Sequence, residues 1–456
     1  MRLTCLGGAG EIGANSYVLE CGARTLLLDS GLHPKKEGRA ALPLLSAAPA
    51  EPDHILVTHA HLDHVGALPV VSRRFYRARI HMTPVTRRFA LRMLRNTVNV
   101  LRRRAEESGV DAAGDPLVPA LYDFDAVERL EDLIEEHELE EPFSLGAGVE
   151  AVFGSAGHIP GAAGLLIRSG GARGRSLYYT GDTCGRSQLL IPAARYPAQA
   201  DVVLTESTYG GNPHADAVRL DEQLRGLGKL IARTTEAGGL TLIPVFALGR
   251  AQEILLAVNQ LKKKGRLPRG LPVYLSGLAR AFSQLYDQTR HMTPRVDPDL
   301  QLLALEPLPL SNTDIERGEP SGPAVVIASS GMVLPNTLSN VLARRVLPDE
   351  KSAIALVGYN DPESPGAQIQ KSRLGEGIDL QDNRPAVTRR CQVERFYFSA
   401  HSTRGELLGM LRALGPKRMV LVHGDPASSA ALGDLARPDH PQAEMTFPQP
   451  GQPYDL

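Results

Sequence analysis

Short apolar runs separated by glycine or polar residues dominate the first 200 residues and predict strands. Tyr17–Glu20 and Thr25–Leu28 are of this kind and follow a glycine-rich turn near the start of the chain. Further strands are predicted at Ile55–Thr58, Val149–Phe153, Gly164–Ile167, Ser176–Tyr179 and Asp201–Thr205. Between them, the stretch from about 84 to 107 places apolar residues near helical spacing and predicts one long helix.

From about residue 215 the pattern changes to alternating helices and strands. Helices are predicted near 216–236 and 249–264, and strands at Thr241–Pro244, Val273–Leu275, Val325–Ala328 and Ala353–Val357. Such alternation is typical of βαβ units around a parallel sheet. Strands are then predicted at Phe396–Phe398 and Met419–Val422, followed by a loosely ordered tail beyond 424. We therefore expect one scaffold interrupted by an inserted α/β domain.

Composition indicates an ordinary globular protein. Of the 456 residues, 43% are hydrophobic and 22% are charged. No run of 18 or more apolar residues predicts a membrane span, and the N-terminus lacks the apolar stretch of a signal peptide. We therefore expect a cytoplasmic location and no membrane partner. The four cysteines form no CxxC pair, so we expect buried thiols rather than a zinc ribbon.

Charge is balanced overall but uneven along the chain. The net charge of −1 carries no general signature of nucleic-acid binding. Seven arginines lie between Arg87 and Arg104, and a strongly acidic run extends from Glu128 to Glu141. The arginines form either a solvated helix face or the border of a groove for a polyanion. Because the chain has no tryptophan, base stacking cannot be the main source of affinity for nucleic acid.

The densest chemical signal is the run His59-Ala60-His61-Leu62-Asp63-His64, directly after a predicted strand. Alternate residues of such a loop can face one ion, here His59 and His61, while Asp63 and His64 face a second. Neutral imidazole and carboxylate are ligands that Zn²⁺ and Mn²⁺ accept. The sequence therefore predicts a metal site with these four residues.

Three more candidate ligands lie near predicted strand ends and near glycines: His158, Asp182 and His423. Each is a weak indication by itself, because an isolated histidine at a strand end is more often structural. Together with the first motif they form a complete ligand set for two divalent ions.

At this point the sequence resembles a known family. Asp29, the His59–His64 motif, His158 and Asp182 are similar, in order, to the motifs of the metallo-β-lactamase superfamily. Glu206, His401 and His423 resemble three additional motifs of its β-CASP branch, and so does the stretch 243–253. The resemblance implies an α/β fold: a metallo-β-lactamase αββα sandwich with an inserted α/β β-CASP cap domain. It implies scaffold segments 1–207 and 393–456 around a cap at 208–392.

The resemblance also implies roles for these residues. His59, His61 and His158 would hold one ion, Asp63, His64 and His423 the other, and Asp182 would bridge them. Asp29 would orient a ligating histidine by accepting its hydrogen bond. Asp63, Glu206 and His401 are the implied catalytic residues.

Proteins of this branch are nucleases, so the implied reaction is hydrolysis of a phosphodiester bond at two divalent ions, Zn²⁺ or Mn²⁺. His401, paired with Glu206, would protonate the leaving 3′-oxygen. Ser329, Ser330 and Gly331 follow a predicted strand and, with Ser399, are candidates to bind a phosphate. The 329–331 segment is equally compatible with an ordinary turn.

Some features leave alternatives open. The opening Gly7–Gly13 is similar to RNase J, whereas Ala60 and Leu62 are more similar to polyadenylation-type proteins. Only 33 residues follow His423, so we expect no additional RNase J C-terminal domain. The first prediction is a single-stranded RNA nuclease, endo or exo. The alternatives are a single-stranded DNA exonuclease acting in repair, a small-molecule hydrolase, and an inactive scaffold subunit. A homodimer is compatible with each of them.

Overall fold

The computed structural model describes residues 1–109, 120–170 and 174–456. In this part of the chain, two compact units are present. The first contains Met1–Ser187, Ala193–Asp216 and His401–Leu456, and the second contains Gln188–Pro192 and Ala217–Ala400. An insertion was expected over 208–392, and the second unit occupies most of that range.

Two mixed sheets form the first unit. The strands of the first sheet are β1 (Arg2–Gly7), β2 (Ser16–Cys21), β3 (Arg24–Leu28), β4 (His54–Leu56), β5 (Arg79–Met82), β6 (Ile134–Glu136) and β22 (Pro453–Asp455). Those of the second are β7 (Pro142–Gly146), β8 (Val149–Ser155), β9 (Ala163–Ser169), β10 (Arg175–Tyr179), β11 (Val202–Glu206), β20 (Arg418–Val422) and β21 (Glu444–Thr446). The strand orders are β22-β1-β2-β3-β4-β5-β6 and β21-β20-β11-β10-β9-β8-β7.

One buried apolar cluster joins the facing surfaces of these two sheets, and side-chain alternation along the strands explains it. Leu165 and Ile167 of β9 belong to this shared cluster, together with Leu26 and Leu28 of β3. Leu166, between the first two, points the other way into a separate cluster. Because successive side chains of a strand alternate between faces, the second sheet is apolar on both sides and needs a cover on its outer face.

Helices provide the outer layers. The helices of the first unit are α1 (Leu62–Val65), α2 (Leu68–Arg74), α3 (Pro84–Glu107), α4 (Phe124–Glu128), α5 (Pro213–Asp216), α12 (Arg404–Leu414) and α13 (Pro426–Ala436). α12 and α13 pack on the outer face of the second sheet, while α3 contacts β6 of the first. α3 begins where its sequence predicts, because Thr83 accepts a hydrogen bond from Thr86 N–H and Pro84 occupies the first turn. The first unit is therefore an αββα sandwich.

A six-stranded sheet forms the centre of the second unit. Its strands are β12 (Leu240–Pro244), β13 (Val273–Ser276), β14 (Leu308–Leu310), β15 (Ala324–Ala328), β16 (Ala353–Leu356) and β19 (Gln392–Arg395), in the order β14-β13-β15-β12-β16-β19. All neighbours in this order are parallel, as the alternating pattern predicts. The helices are α6 (Leu220–Glu236), α7 (Arg250–Lys263), α8 (Gly277–Gln288), α9 (Asn312–Glu316), α10 (Leu338–Val346) and α11 (Pro365–Lys371). A separate two-stranded ladder pairs β17 (Gly377–Ile378) with β18 (Val387–Thr388).

Two expectations about the C-terminal part of the chain are wrong. Residues 396–398 are not a strand; β19 lies directly before them, because its partner β16 ends at Leu356, opposite Arg395. The tail after 424 is not loosely ordered, since it forms α13, β21 and β22. Its apolar side chains, such as Leu432 and Leu456, are buried in the sandwich and compensate for ordering the chain. None of the helices in the described residues is long and apolar enough to cross a membrane.

Candidate metal centre

The first ligand motif lies on a tightly held turn between β4 and α1. α1 begins directly after His61, so Asp63 and His64 lie on its single turn. Ser30 N–H donates to the carbonyl oxygen of His64 at 2.7 Å. At Gly31, a Cβ atom would be 1.8 Å from the carbonyl oxygen of Asp63, so only glycine allows this approach. The turn is therefore fixed against the segment that follows β3.

The glycine-rich turn after β1 supports two ligand candidates that are far apart in sequence. Asn15 donates its backbone N–H (2.9 Å) and its side-chain amide (3.0 Å) to the carbonyl oxygen of Asp63. The Tyr17 hydroxyl donates to Asn15 Oδ1 at 2.7 Å and sets the orientation of that amide. His423 N–H donates to the carbonyl oxygen of Gly8 at 2.8 Å. This turn therefore positions both Asp63 and His423.

The first group of candidate ligands consists of His59, His61, His158 and Asp182. His61 Nδ1 lies 3.0 Å from His158 Nε2. His59 Nε2 and His158 Nε2 both lie 3.6 Å from Asp182 Oδ2. One ligand atom from each residue lies within 4.8 Å of all the others. Three imidazoles and one carboxylate oxygen thus converge on one point.

The second group consists of Asp63, His64, His423 and again Asp182. Asp182 Oδ1 lies 3.1 Å from His64 Nε2 and 3.3 Å from His423 Nδ1. Asp63 Oδ2 lies 3.3 Å from His423 Nε2 and 3.9 Å from His64 Nε2. Asp182 therefore presents one oxygen to each group. The structure brings together all seven side chains that the sequence marks as candidate ligands.

The donor atoms of these groups suit divalent cations. His59 Nε2 and Asp182 Oδ1 are buried and have no hydrogen-bond partner in the described part of the chain. A buried polar atom without a partner costs about 1–3 kcal/mol. A cation bound between the imidazoles and the carboxylate would satisfy both atoms, and nitrogen with carboxylate oxygen is a ligand set for transition metals.

Asp29 lies next to these ligands and accepts hydrogen bonds from four groups. Oδ1 accepts from Thr58 N–H at 2.7 Å. Oδ2 accepts from the Thr58 hydroxyl (2.8 Å), His64 Nδ1 (2.7 Å) and the Tyr179 hydroxyl (2.7 Å). Because a carboxylate only accepts, His64 carries its proton on Nδ1, which leaves the lone pair of Nε2 directed at Asp182.

The buried Glu206 pairs with the partly exposed His401 beside the two groups. His401 Nδ1 donates to Glu206 Oε2 at 2.8 Å, and Thr183 N–H donates to Glu206 Oε1 at 2.8 Å. The other ring nitrogen of His401, Nε2, lies 3.8 Å from Asp182 Oδ2. Glu206 therefore fixes the orientation of the imidazole, so that Nε2 is directed towards the candidate ligands.

Burial and neighbouring charges shift the pKa values in this centre in opposite directions. Burial and the adjacent His64 hold the pKa of His59 well below its usual value. For His64 and His401, burial alone would lower the pKa, but carboxylates outweigh it: Asp182 and Asp29 raise the pKa of His64, and Glu206 and Asp182 raise the pKa of His401 to about 9. The carboxylates of the centre therefore counteract the effect of burial on the pKa values of His64 and His401.

Comparisons with known proteins agree with this geometry. Family models match residues 9–187 (metallo-β-lactamase superfamily), 251–369 (β-CASP domain) and 386–445 (Zn-dependent metallo-hydrolase RNA specificity domain). Ribonuclease TTHA0252 of Thermus thermophilus is 34% identical over 451 residues, which cover 95% of this chain and 96% of that protein. The chain belongs to the β-CASP branch of the metallo-β-lactamase superfamily. The metallo-β-lactamase fold implies binding of divalent metal, and the structure contains a His/Asp cluster that could hold it.

Other β-CASP relatives are longer than this chain. Endoribonuclease YSH1 of Candida glabrata is 29% identical over 479 residues, and the match covers 100% of this chain and 59% of that protein. Endoribonuclease YSH1 of Saccharomyces cerevisiae is 30% identical, with 92% of this chain and 54% of that protein covered. The chain therefore spans little more than half the length of these relatives. A crystal structure of a protein of unknown function from Enterococcus faecalis V583 superposes on this chain with a TM-score of 0.56 and 13% sequence identity. The match covers 100% of this chain and 99% of the other, and the two proteins share the fold.

The candidate phosphate-binding residues of this β-CASP protein lie in the second unit. Ser329, Ser330 and Gly331 follow β15, and the two serines already have hydrogen-bond partners within that unit. Ser330 Oγ accepts from Leu334 N–H at 3.0 Å, and Ser329 N–H donates to Ser276 Oγ at 3.3 Å. Ser399 also belongs to this unit. Phosphate binding by these residues stays a prediction.

The arginine-rich segment is the exposed face of α3, and part of its charge is neutralised. Arg87, Arg95 and Arg104 form ion pairs with Glu136, Glu131 and Glu37. Two of these partners come from the acidic run that follows α4. The acidic run therefore neutralises part of the positive charge of the arginine-rich segment. Contact of these arginines with a polyanion stays a prediction.

Several supporting residues were missed from the sequence. Thr58, Asn15 and Tyr179 each make hydrogen bonds that orient Asp29, Asp63 or a ligating histidine. Of these three residues, only Thr58 could have been suspected from the sequence, because it lies directly before His59 of the ligand motif. The other two are common residue types in strands or turns, and their contacts arise only when distant segments meet.

Proposed function

We propose that the protein hydrolyses phosphodiester bonds of single-stranded RNA at a centre of two divalent ions. The observation that carries this proposal is the position of Asp182, whose two oxygens face two separate groups of ligands. Oδ2 lies 3.6 Å from His59 and His158, and Oδ1 lies 3.1 Å from His64. A carboxylate shared in this way suits a pair of neighbouring cations.

Seven side chains would hold these ions. His59, His61 and His158 would bind one, and Asp63, His64 and His423 would bind the other, with Asp182 between them. When bound, the pair supplies Lewis acidity that activates water and offsets charge on the phosphoryl oxygens. Five imidazoles favour Zn²⁺, while the carboxylates also accept Mn²⁺.

The chain itself supplies the proton for the leaving oxygen. His401 is held by Glu206 with a proton on Nδ1, and its raised pKa keeps Nε2 protonated at neutral pH. A protonated Nε2 beside the ligand groups can donate to the departing 3′-oxygen. Glu206 acts by positioning His401, since both of its oxygens are occupied by Thr183 N–H and the imidazole.

The names of the similar proteins favour RNA as the substrate. The three relatives described above are named ribonucleases or endoribonucleases, and a model described as an RNA specificity domain matches residues 386–445. Neither the ligand groups nor the His401–Glu206 pair requires a 2′-hydroxyl, so single-stranded DNA is the second candidate. Every candidate ligand position carries a side chain that can bind a metal ion, which counts against an inactive scaffold subunit.

The test compares end-labelled single-stranded RNA and DNA of matched sequence, incubated with Zn²⁺ or with Mn²⁺. We expect cleavage of RNA to 5′-phosphate and 3′-hydroxyl products. Asp63→Asn and His401→Gln should reduce the rate by at least about 100-fold. His440→Gln changes a histidine outside the centre and should cut at the wild-type rate. Normal cleavage by either of the first two variants would refute the role proposed for that residue. Faster cleavage of DNA than of RNA would identify DNA as the preferred substrate.

A further inference from the structure

A second cluster of histidines lies away from the centre described above. His54 is the first residue of β4, His81 lies in β5, and Glu135 and His137 lie in and just after β6. These three strands are adjacent and parallel, and His81 is the register partner of Glu135. The proposed hydrolytic reaction uses none of these four residues.

Three imidazoles form a continuous chain within this cluster. His54 Nε2 lies 3.0 Å from the carbonyl oxygen of Leu145 in β7. His54 Nδ1 lies 2.9 Å from His81 Nε2, and His81 Nδ1 lies 2.9 Å from His137 Nε2. The chain therefore connects an edge of the first sheet to an edge of the second.

The carbonyl at one end determines the proton positions along the chain. A carbonyl oxygen only accepts, so His54 carries its proton on Nε2 and has a lone pair on Nδ1. His81 must then donate from Nε2, and its own Nδ1 is left with a lone pair. Burial lowers the pKa of His54, and burial with the neighbouring histidines lowers the pKa of His81 to about 3, so both rings are neutral.

The lone pair of His81 Nδ1 faces two further atoms that could bind a metal ion. Its Nδ1 lies 2.9 Å from His137 Nε2 and 3.6 Å from Glu135 Oε2. The other carboxylate oxygen of Glu135 is occupied by Arg79. All three candidate atoms lie within 4.8 Å of one another. The separation of the two ring nitrogens is nearly that of His61 and His158, which is 3.0 Å.

Packing fixes the rings and leaves one side open. His137 stacks on Phe143 with ring centroids 3.7 Å apart and an interplanar angle of 13°. His81 is buried, whereas Glu135 is 40% exposed, so solvent can reach the carboxylate. Two imidazoles, one carboxylate and a solvent-accessible fourth position match a four-coordinate zinc site. His54 would supply the outer hydrogen bond that orients a ligating imidazole.

We propose that His81, Glu135 and His137 bind a further divalent transition-metal ion, of which Zn²⁺ is the best fit, with His54 as the positioning residue. The ion would join β5 and β6, while the His54–Leu145 hydrogen bond extends the connection to the second sheet. Its role would be structural, because the cluster is separate from the proposed hydrolytic centre.

Crystals of the full chain grown with ZnCl₂ provide the first test. Anomalous difference maps collected on both sides of the zinc absorption edge should show a peak between His81 Nδ1 and His137 Nε2. A hydrogen-bonded histidine chain without metal is the competing outcome. Absence of a peak there, in crystals that show zinc elsewhere, would overturn the proposal.

Metal content in solution provides the second test. After loading with ZnCl₂ and desalting, His137→Phe should contain one zinc ion per chain less than the wild type. Phenylalanine keeps the stacking on Phe143 but offers no ligand atom. Glu135→Gln, which can still accept from Arg79, should also lose this ion, and His440→Phe should keep it. Equal zinc content in wild type and both cluster variants would overturn the proposal. The difference of one ion is independent of how many ions the proposed hydrolytic centre holds.

Discussion

Substitution of Asp29 by asparagine tests how the ligands are oriented. The change removes one negative charge and converts one acceptor into a donor while keeping the shape of the side chain. If the amide nitrogen faces His64 Nδ1, the histidine must move its proton to Nε2 and loses its ligand lone pair. If the nitrogen faces Thr58 N–H instead, two donors meet in a fully buried position. Neither orientation restores the native pattern of donors and acceptors.

The magnitude follows from these contacts. A hydrogen bond to a charged group contributes about 1.5–3 kcal/mol, and Asp29→Asn disrupts one such bond in either orientation. Because about 1.4 kcal/mol corresponds to a tenfold change in an equilibrium constant, affinity for the ion at His64 should fall about 10- to 100-fold. Affinity at the His59–His61–His158 group should fall less, since Asp29 accepts a hydrogen bond from none of those rings.

Competition with a chromophoric zinc chelator measures this loss. Asp201→Asn is a matched control, because Asp201 accepts from Ser176 N–H (3.0 Å) and the Ser176 hydroxyl (2.9 Å), much as Asp29 accepts from Thr58. Asp201 lies directly before β11, at the opposite end of that strand from Glu206. A zinc affinity of Asp29→Asn within twofold of the wild type, with its fold intact by circular dichroism, would refute the reasoning.

Two further predictions concern acid–base chemistry and the C-terminal segment. In the proposed mechanism His401 acts in its protonated form, and its folded-state pKa is raised, so cleavage should be lost as pH rises through that pKa. Glu206→Gln should move this loss to lower pH by about one unit or more, which a pH–rate profile measures. An unchanged alkaline limb would contradict the pairing. In α13, Leu432 is fully buried, so Leu432→Ala leaves a cavity and should destabilise the protein by about 2–5 kcal/mol. Leu435 of the same helix is 43% exposed, so Leu435→Ala should change the stability by less than about 0.5 kcal/mol. Urea denaturation compares the two, and equal midpoints would show that α13 does not pack as described.

Elements with a strong local signal could be predicted from the sequence. α3 has a long apolar repeat, a threonine cap and Pro84 at its start, and it lies where it was predicted, at Pro84–Glu107. Four strands of the second unit, β12, β13, β15 and β16, are mainly apolar runs between helices, and their parallel arrangement follows from that alternation. The more polar β19, with the sequence Gln-Val-Glu-Arg, was not predicted. The error at residues 396–398 has a non-local cause, because the end of β19 is set by the end of its partner β16.

The residues of the candidate site also differ in how far the local sequence identifies them. The His59–His64 motif is visible locally. His158, Asp182 and His423 were weak candidates individually, and only the family resemblance assigned them to particular ions. The cluster of His54, His81 and His137 was not predicted at all. These residues lie in separate segments, and only the register of β4, β5 and β6 brings them together. Sequence spacing carries no information on such an arrangement.

The short strands β21 and β22 have a consequence for the solubility of the protein. Each has three residues, and they cover β20 in one sheet and β1 in the other. A chain shortened after Gly424 would keep all seven candidate ligands but would leave the largely apolar strands β1 and β20 with unsatisfied backbone groups. Such edges are templates for strand addition by other molecules. The segment after the last ligand therefore protects the sandwich against aggregation.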